Sequence, residues 1–477
     1  MLENRSFNQM LGFLYSDHGN KSPAGFPYDG LTGQEWNPDD AGRKVTVYKI
    51  QATDNHPYLM PGADPGEGFK NTNNQLFSTA DPKPGTKADN MGFVKNFKAA
   101  IASDNAKQYK DTLPGTTESE IMAMYTPELL PVMSGLAKGY AVCDAWFASA
   151  PTQTIPNRAF AAAGTSQGHL DNNVKIFTCP SIFGRLSDIG QDWAIYGYSS
   201  DPLTRHDFPD TQNADASHFG QFSDFQARAA AGNLPAYTFL EPNFGANGNS
   251  QHPNYDVAAG EQFIHDVYYA LRQNADAWKS TFLIITYDEH GGNYDHVAPP
   301  DDATPPGDGT IGEWGFDFTR LGVRIPALLI SPLIAPGTVF RAVGTYIDHT
   351  SVLKTISERW NTKPLTNRDK VAASLGDVLT LGEARTDDPI AGVEIPVSHA
   401  QHPNLSKPSS IDLIHAERIA NLPIRNQHGY YDATPPTLPN SSAEIGNFIR
   451  DRSAAWNTEV VKKQSMFDPE KGKHLDF

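Results

Sequence analysis

The sequence of 477 residues has only two cysteines, Cys143 and Cys179. That excludes a framework of several disulfides, and their spacing fits no zinc-finger or dithiol motif. Cys143 lies in the apolar run Tyr140-Ala141-Val142-Cys143 and reads as a buried core thiol, while a single bridge between the two stays open. There is no run of about 18 consecutive apolar residues, so no membrane-spanning helix is expected. Positive charge is also short: 38 Lys and Arg stand against 55 Asp and Glu, for a net charge of −17. Such a chain repels phosphate backbones, and no Lys/Arg run with interleaved aromatics offsets this, so nucleic acid is not an expected partner. Anionic membrane surfaces are disfavoured for the same reason, although a zwitterionic lipid or a small anion can still reach a locally positive site. Met1-Leu2 leads directly into Glu3-Asn4, with no charged-then-apolar leader ahead of it.

What is present points to a folded α/β protein with long loops. Gly (39) and Pro (36) are both above average use, yet well short of a disordered composition, and 18 Tyr, 25 Phe and 7 Trp supply a core. Residues 20–90 are polar and turn-rich, with one expected strand over Lys44–Ile50. Apolar runs at 140–146, 193–198, 234–240, 281–287 and 323–330 read as strands. Helical patterns fall at 128–138, 157–163, 260–272, 351–360 and 443–456. Strands alternating with helices argue for a mostly parallel sheet covered on both faces. Beyond about residue 375 the chain turns polar and Pro-rich, which we read as an extension packed on a main domain spanning 1–375.

In open α/β sheets, ligands bind outside the carboxyl ends of the strands. Three expected strand ends carry polar groups: Thr154 with Asn157, Glu241, and Asp288-Glu289-His290. Adjacent carboxylates at the end of a buried strand repel unless a cation lies between or beside them. Asp288-Glu289 therefore suggests a divalent-ion site, with His290 and His296 as ligands or proton donors; a solvated acidic loop is the bland alternative. Thr154-Ile155-Pro156-Asn157-Arg158 puts a hydroxyl just ahead of a helix start, where backbone N–H groups and the helix dipole favour a phosphate. A simple N-cap would look the same. Glu3-Asn4 offers oxygen ligands at the chain end, and His206 and His252 fall in expected loops. Gly164-Thr165-Ser166-Gln167-Gly168 matches the G-x-S-x-G nucleophile elbow, but a helix-like run precedes it where a strand is required, so a serine esterase is a weak alternative.

Taken in order, Glu3-Asn4-Arg5-Ser6-Phe7, Trp146 through Arg158, Thr286 through Val297 and Asp348-His349-Thr350-Ser351-Val352 resemble one family of phosphoesterases. It includes the bacterial and plant non-specific phospholipases C and the respiratory-burst-inhibiting acid phosphatases. The resemblance runs from residue 1 to about 375 and implies the α/β sandwich of the alkaline phosphatase superfamily. It further implies one divalent metal held by Glu3, Asn4, Asp288, Glu289 and Thr154, with Thr154 also the nucleophile that forms a phosphothreonine. An all-oxygen set suits Ca²⁺, Mg²⁺ or Mn²⁺ better than zinc. His252 is the first choice to bind phosphate oxygens or protonate the leaving group, His206 the second and His290 the third, with Asn157 and His296 as substrate-binding groups. The implied substrate is a phosphate ester or phospholipid; many relatives are exported.

Two departures stand out. The family usually carries a full apolar strand before the Glu-Asn pair, so the first strand is expected to be missing or truncated here. Glu67 stands where relatives often place His, which adds negative charge. The expected activity is a metal-dependent phosphoesterase of the phospholipase C type. An acid-phosphatase-type monoesterase, and an inactive relative or binding protein without an intact site, are the alternatives.

Overall fold

The apolar runs become short strands in a computed structural model that describes residues 1–107, 110–173, 176–399, 401–426, 428–431 and 434–467. Two small pairs flank the body: β1 (Trp36–Pro38) lies antiparallel to β2 (Lys44–Thr46), and β3 (Tyr48–Lys49) parallel to β4 (Ala123–Met124). The remaining strands are β5 (Ala141–Cys143), β6 (Trp193–Gly197), β7 (Phe219–Gln221), β8 (Tyr237–Leu240), β9 (Leu283–Thr286), β10 (Ala327–Ile330) and β11 (Thr338–Val339). They form two sheets, in the orders β7-β6-β8 and β11-β5-β10-β9.

The first of these is parallel throughout. In the second, β11 is parallel to β5, whereas β10 runs antiparallel to both of its neighbours. An apolar run buried on both faces reads alike in either direction, so its polarity is not visible in composition. Here the chain leaves β9 at Thr286, makes an excursion through residues 287–326, and re-enters at the same end of the sheet.

Residues 1 and 2 lie between the two sheets. The Met1 amino group donates to Leu240 O at the end of β8 (3.0 Å), and Leu2 N–H donates to Thr286 O at the end of β9 (2.8 Å). Leu2 thus makes a single parallel bridge to Tyr287.

Helices pack against both sheets. Pro131–Gly139 and Val257–Arg272 pack Val132, Leu136, Phe263, Ile264 and Val267 onto one side of β5 and β10. Thr154–Ala163, Ile182–Asp188 and Thr350–Trp360 form a second core with Ile155, Phe183, Leu186, Ile195 and Leu353. At about 25 cal/mol per Å² of apolar surface, each fully buried aliphatic or aromatic side chain contributes roughly 1.5–3 kcal/mol. The terminal helices Ser410–Ala420 and Ser442–Phe467 pack on each other through Ala416, Ile419, Ile449 and Trp456. Trp456 Nε1 donates to Gln212 O (2.7 Å), and Arg418 pairs with Asp207, which ties these helices to the body. Among the described residues no helix is long and apolar enough to cross a membrane. Both cysteines are free.

Candidate active site

Beyond β5 the chain stays extended through Trp146 and Phe147, which bridge to Ile347 and Arg324, and then turns at 150–153. Asn157 holds that turn. Its Nδ2 donates to Ala150 O, Thr152 O and Gln153 O (2.9–3.1 Å), and its Oδ1 accepts from Ala150 N–H (2.9 Å). The amide is spent on the backbone, so Asn157 positions the turn and is not free for substrate, contrary to the sequence expectation. The helix starts at Thr154, three residues earlier than its pattern suggested, with Gln153 as N-cap. Thr154 is therefore the first helical residue, and its hydroxyl sits at the positive end of a ten-residue helix.

Five groups predicted to act together converge there. Thr154 Oγ1 donates to Asn4 Oδ1 (3.3 Å). Asn4 takes a left-handed backbone conformation (φ 55°), which lets its N–H donate to Asp288 Oδ1 (3.2 Å) while its Nδ2 donates to Glu67 Oε2 (2.6 Å). Glu289 N–H also donates to Asp288 Oδ1 (2.9 Å), and Glu289 Oε2 accepts from Gly291 N–H (2.7 Å). Gly291 has φ +61°, and a Cβ there would lie 2.1 Å from Asn4 O, so only glycine lets the two segments approach. Glu3 is buried, and among the described residues neither of its carboxylate oxygens nor Glu289 Oε1 makes a hydrogen bond of good geometry, although Ser250 lies beside Glu3 and Glu67 beside Glu289.

Positive charge is thin in this cluster. Arg158 donates from Nε to Asp288 Oδ2 (2.9 Å), and its Nη1 lies 3.9 Å from Glu241 Oε1. Glu241 is itself tied to the backbone N–H groups of Leu203 (2.7 Å) and Thr204 (3.2 Å). The guanidinium thus serves Asp288, Glu3 and Glu241 together. Burial, then the neighbouring Asp288, pushes the Glu3 carboxyl well above its usual range; burial, then Glu67 and Asp288, does the same to Glu289. Unpartnered, desolvated carboxylates are costly unless they keep protons or gain a cation. The donor set is oxygen only, and these orphaned atoms fit a hard divalent ion.

His252 borders the cluster, with Nε2 3.8 Å from Glu67 Oε2 and Nδ1 3.2 Å from Pro253 O. Burial holds its pKa below the ordinary value, partly offset by Glu67. The other histidines are placed differently. His206 is turned away: its Nε2 lies 2.6 Å from Asp201 Oδ2 and its ring faces His415, because the turn Leu203–His206 is anchored through Glu241 and points the ring backward. His290 has both ring nitrogens engaged, Nε2 with Gln75 Oε1 (2.8 Å) and Nδ1 with Glu289 (3.2 Å), and burial lowers its pKa to about 3. It packs against Glu289 with both ring nitrogens occupied. His296 contacts Asn8 and Asp29 (3.3 Å), away from Thr154.

His349 has no mark in the sequence beyond its place in Asp348-His349-Thr350-Ser351-Val352. Its Nε2 donates to Asp288 O (2.7 Å) and its Nδ1 is buried without a partner. Arg158 is likewise marked only by its position one helical turn after Thr154. Ser166 donates to His169 O (2.8 Å) and is fully buried behind helix Thr154–Ala163, which is not an elbow geometry.

A family model described as "Phosphoesterase family" matches residues 1–363. Non-specific phospholipase C6 of Arabidopsis thaliana is 34% identical over 422 residues, covering 84% of this chain and 75% of that protein. Phospholipase C A of Mycobacterium tuberculosis (strain ATCC 25618 / H37Rv) is 29% identical over 405 residues, covering 76% and 71%. Among solved structures, the phosphonate monoester hydrolase SpPMH from Silicibacter pomeroyi superposes with a TM-score of 0.29 at 15% identity, over 54% of this chain and 73% of that one.

Proposed function

The chain belongs to the phosphoesterase family and is a hydrolase of phosphoester bonds, and from that premise we propose that it is a phospholipase C type phosphodiesterase that works through a phosphothreonine on Thr154. The observation that carries this reading is the set of buried carboxylate oxygens without partners among the described residues, Glu3 Oε1 and Oε2 and Glu289 Oε1, on the neighbours of Asn4 and Asp288, with Asn4 holding a hydroxyl at a helix N-terminus. Glu3, Asn4, Asp288 and Glu289 would hold one divalent ion there. When bound, such an ion polarises a phosphoryl oxygen and makes a neighbouring hydroxyl more acidic.

The chain's own groups supply the rest. Asn4 Oδ1 orients the Thr154 hydroxyl. The Thr154 Oγ1–P bond forms as the P–O bond to the leaving alcohol breaks, and the alcohol takes up a proton. Water then attacks phosphorus, cleaves the Oγ1–P bond, returns the hydroxyl to Thr154 and releases a phosphomonoester. His252 is the proton carrier in reach: with Nδ1–H directed at Pro253 O, its Nε2 lone pair faces the space beside Glu67. Arg158 holds Asp288 in place throughout.

Glu67 bears on substrate class. A carboxylate beside the reacting centre repels a dianionic monoester more than a monoanionic diester, and it attracts a cationic head group. That supports a phosphodiester with a zwitterionic lipid head over a phosphomonoester.

Hydrolysis of p-nitrophenylphosphorylcholine and p-nitrophenyl phosphate, with and without EDTA, on the native chain and on Thr154→Ala, tests the reading. We expect faster turnover of the diester, loss on chelation, recovery with Ca²⁺, Mg²⁺ or Mn²⁺, and loss in Thr154→Ala. Preference for the monoester would make the protein a phosphatase. Full activity in Thr154→Ala would remove the nucleophile.

A further inference from the structure

A second cluster of ligating side chains lies apart from the cluster around Thr154, where the C-terminal helices meet the body. Asp201 and His206 belong to the segment that follows β6, and His415 projects from helix Ser410–Ala420. The three residues each offer one ligand atom, and these atoms lie within 4.8 Å of one another. The two imidazole rings are 5.9 Å apart and both are buried, at 1% and 3% exposure.

The independent observation is that, among the described residues, His206 Nδ1 and His415 Nε2 are buried with no hydrogen-bond partner. Leaving a buried ring nitrogen unsatisfied costs about 1–3 kcal/mol, and two such atoms in one cluster call for an explanation. Asp201 Oδ1 accepts from Arg205 (2.9 Å), and Oδ2 accepts from Ser453 (3.0 Å) and lies 2.6 Å from His206 Nε2. Arg205 is also held by Asn457, and Arg418 by Asp207, so each nearby guanidinium has its own acceptor.

We propose that Asp201, His206 and His415 form a site for a transition-metal ion of the zinc class, which joins the segment after β6 to helix Ser410–Ala420. Two neutral imidazoles and one carboxylate are the donors such an ion prefers, with water completing the set. Burial pulls the pKa of both histidines below the ordinary value, His415 to about 3, which keeps the rings in the neutral form that binds metal. The chemistry separates this site from the oxygen-only cluster at Thr154, so the two are expected to select different ions. It holds whether or not the protein is a phospholipase.

Zinc K-edge X-ray absorption on the full-length chain, stripped of metal, refilled with Ca²⁺ and given one equivalent of Zn²⁺, is the direct test. We expect two imidazole nitrogens per zinc. The other ligating group in the described residues, Asp64, Glu67 and His252, supplies one imidazole. Zinc with one imidazole or none would overturn the proposal. In His415→Gln we expect at least tenfold weaker zinc binding in the presence of Ca²⁺, together with faster amide exchange over 410–420. Unchanged affinity in a folded His415→Gln would also overturn it. If that variant fails to fold, the absorption spectrum of the native chain decides alone.

Discussion

Thr154 and Asn4, 150 positions apart in sequence, meet through one hydrogen bond of 3.3 Å, and that contact joins the chain start to the helix that follows β5. Asn4 does three things at once: it receives the Thr154 hydroxyl, donates to Glu67, and sends its backbone N–H to Asp288. Replacing it with Ala removes both side-chain contacts at a position whose φ of 55° asparagine tolerates better than alanine. Asn4→Ala should lower kcat for p-nitrophenylphosphorylcholine by on the order of 10²-fold or more. A change in KM alone would show that Asn4 only binds substrate.

Glu67 sits between Asn4 and His252 and brings a carboxyl group to the edge of the cluster. Glu67→Gln should raise the rate on p-nitrophenyl phosphate relative to the diester, by about tenfold if the charge difference is worth about 1.4 kcal/mol. The ratio of kcat/KM for the two substrates is the readout. An unchanged ratio would mean that Glu67 does not face the phosphoryl group.

Removal of a divalent ion should destabilise the fold, and more so as pH rises. Burial and neighbouring carboxylates raise the pKa of Glu3 and Glu289, so without metal the folded state keeps protons that the unfolded chain has lost. That contribution is whole below the ordinary carboxylate range and disappears as pH climbs through the raised values. Metal binds the deprotonated groups and gains as the protons leave. The drop in Tm caused by EDTA should therefore be larger at pH 8 than at pH 5. A drop that does not grow with pH would count against Glu3 and Glu289 as ligands.

A site far from the chemistry gives a cleaner pH signature. Glu261 on helix Val257–Arg272 is buried and accepts from the N–H groups of Val132 (2.7 Å) and Met133 (3.0 Å) at the start of helix Pro131–Gly139. Burial raises its pKa to about 8. The stability tied to this proton is full below about pH 4.5 and is lost as pH rises towards 8, on the order of a few kcal/mol. Glu261→Gln keeps an acceptor for both N–H groups and removes the titration. Its Tm should match the native chain at pH 5 and exceed it at pH 9; equal values at both would show that the carboxyl ionises at no cost.

Much of the site was legible because chemistry collects at strand ends. Asp288-Glu289 follows β9, Glu241 follows β8, and Thr154 lies on the turn after β5, as the alternation of apolar runs and polar tips implied. Glu3-Asn4 was legible only through the family resemblance, since nothing in two flanking residues marks them as buried. Asn157, His206, His290 and His296 show what local pattern cannot convey. Each is polar and near the right segment, yet its side chain is committed to another partner, local for Asn157 (the turn backbone at 150–153) and His206 (Asp201), distant in sequence for His290 (Gln75) and His296 (Asp29). The antiparallel course of β10 escaped for the same kind of reason, because a buried apolar run carries no mark of direction.

The placement of residues 1 and 2 between β8 and β9 gives the cluster a mechanical role. His252 and Glu241 hang from the sheet that ends in β8, whereas Thr154, Asp288 and Glu289 hang from the sheet that contains β5 and β9. Glu3 and Asn4 follow directly on the two residues that hydrogen-bond to both. An ion that draws Glu3 towards Asp288 and Glu289 would act as a rivet through this seam. Its binding free energy would then hold the two halves of the fold in register as well as serve the chemistry.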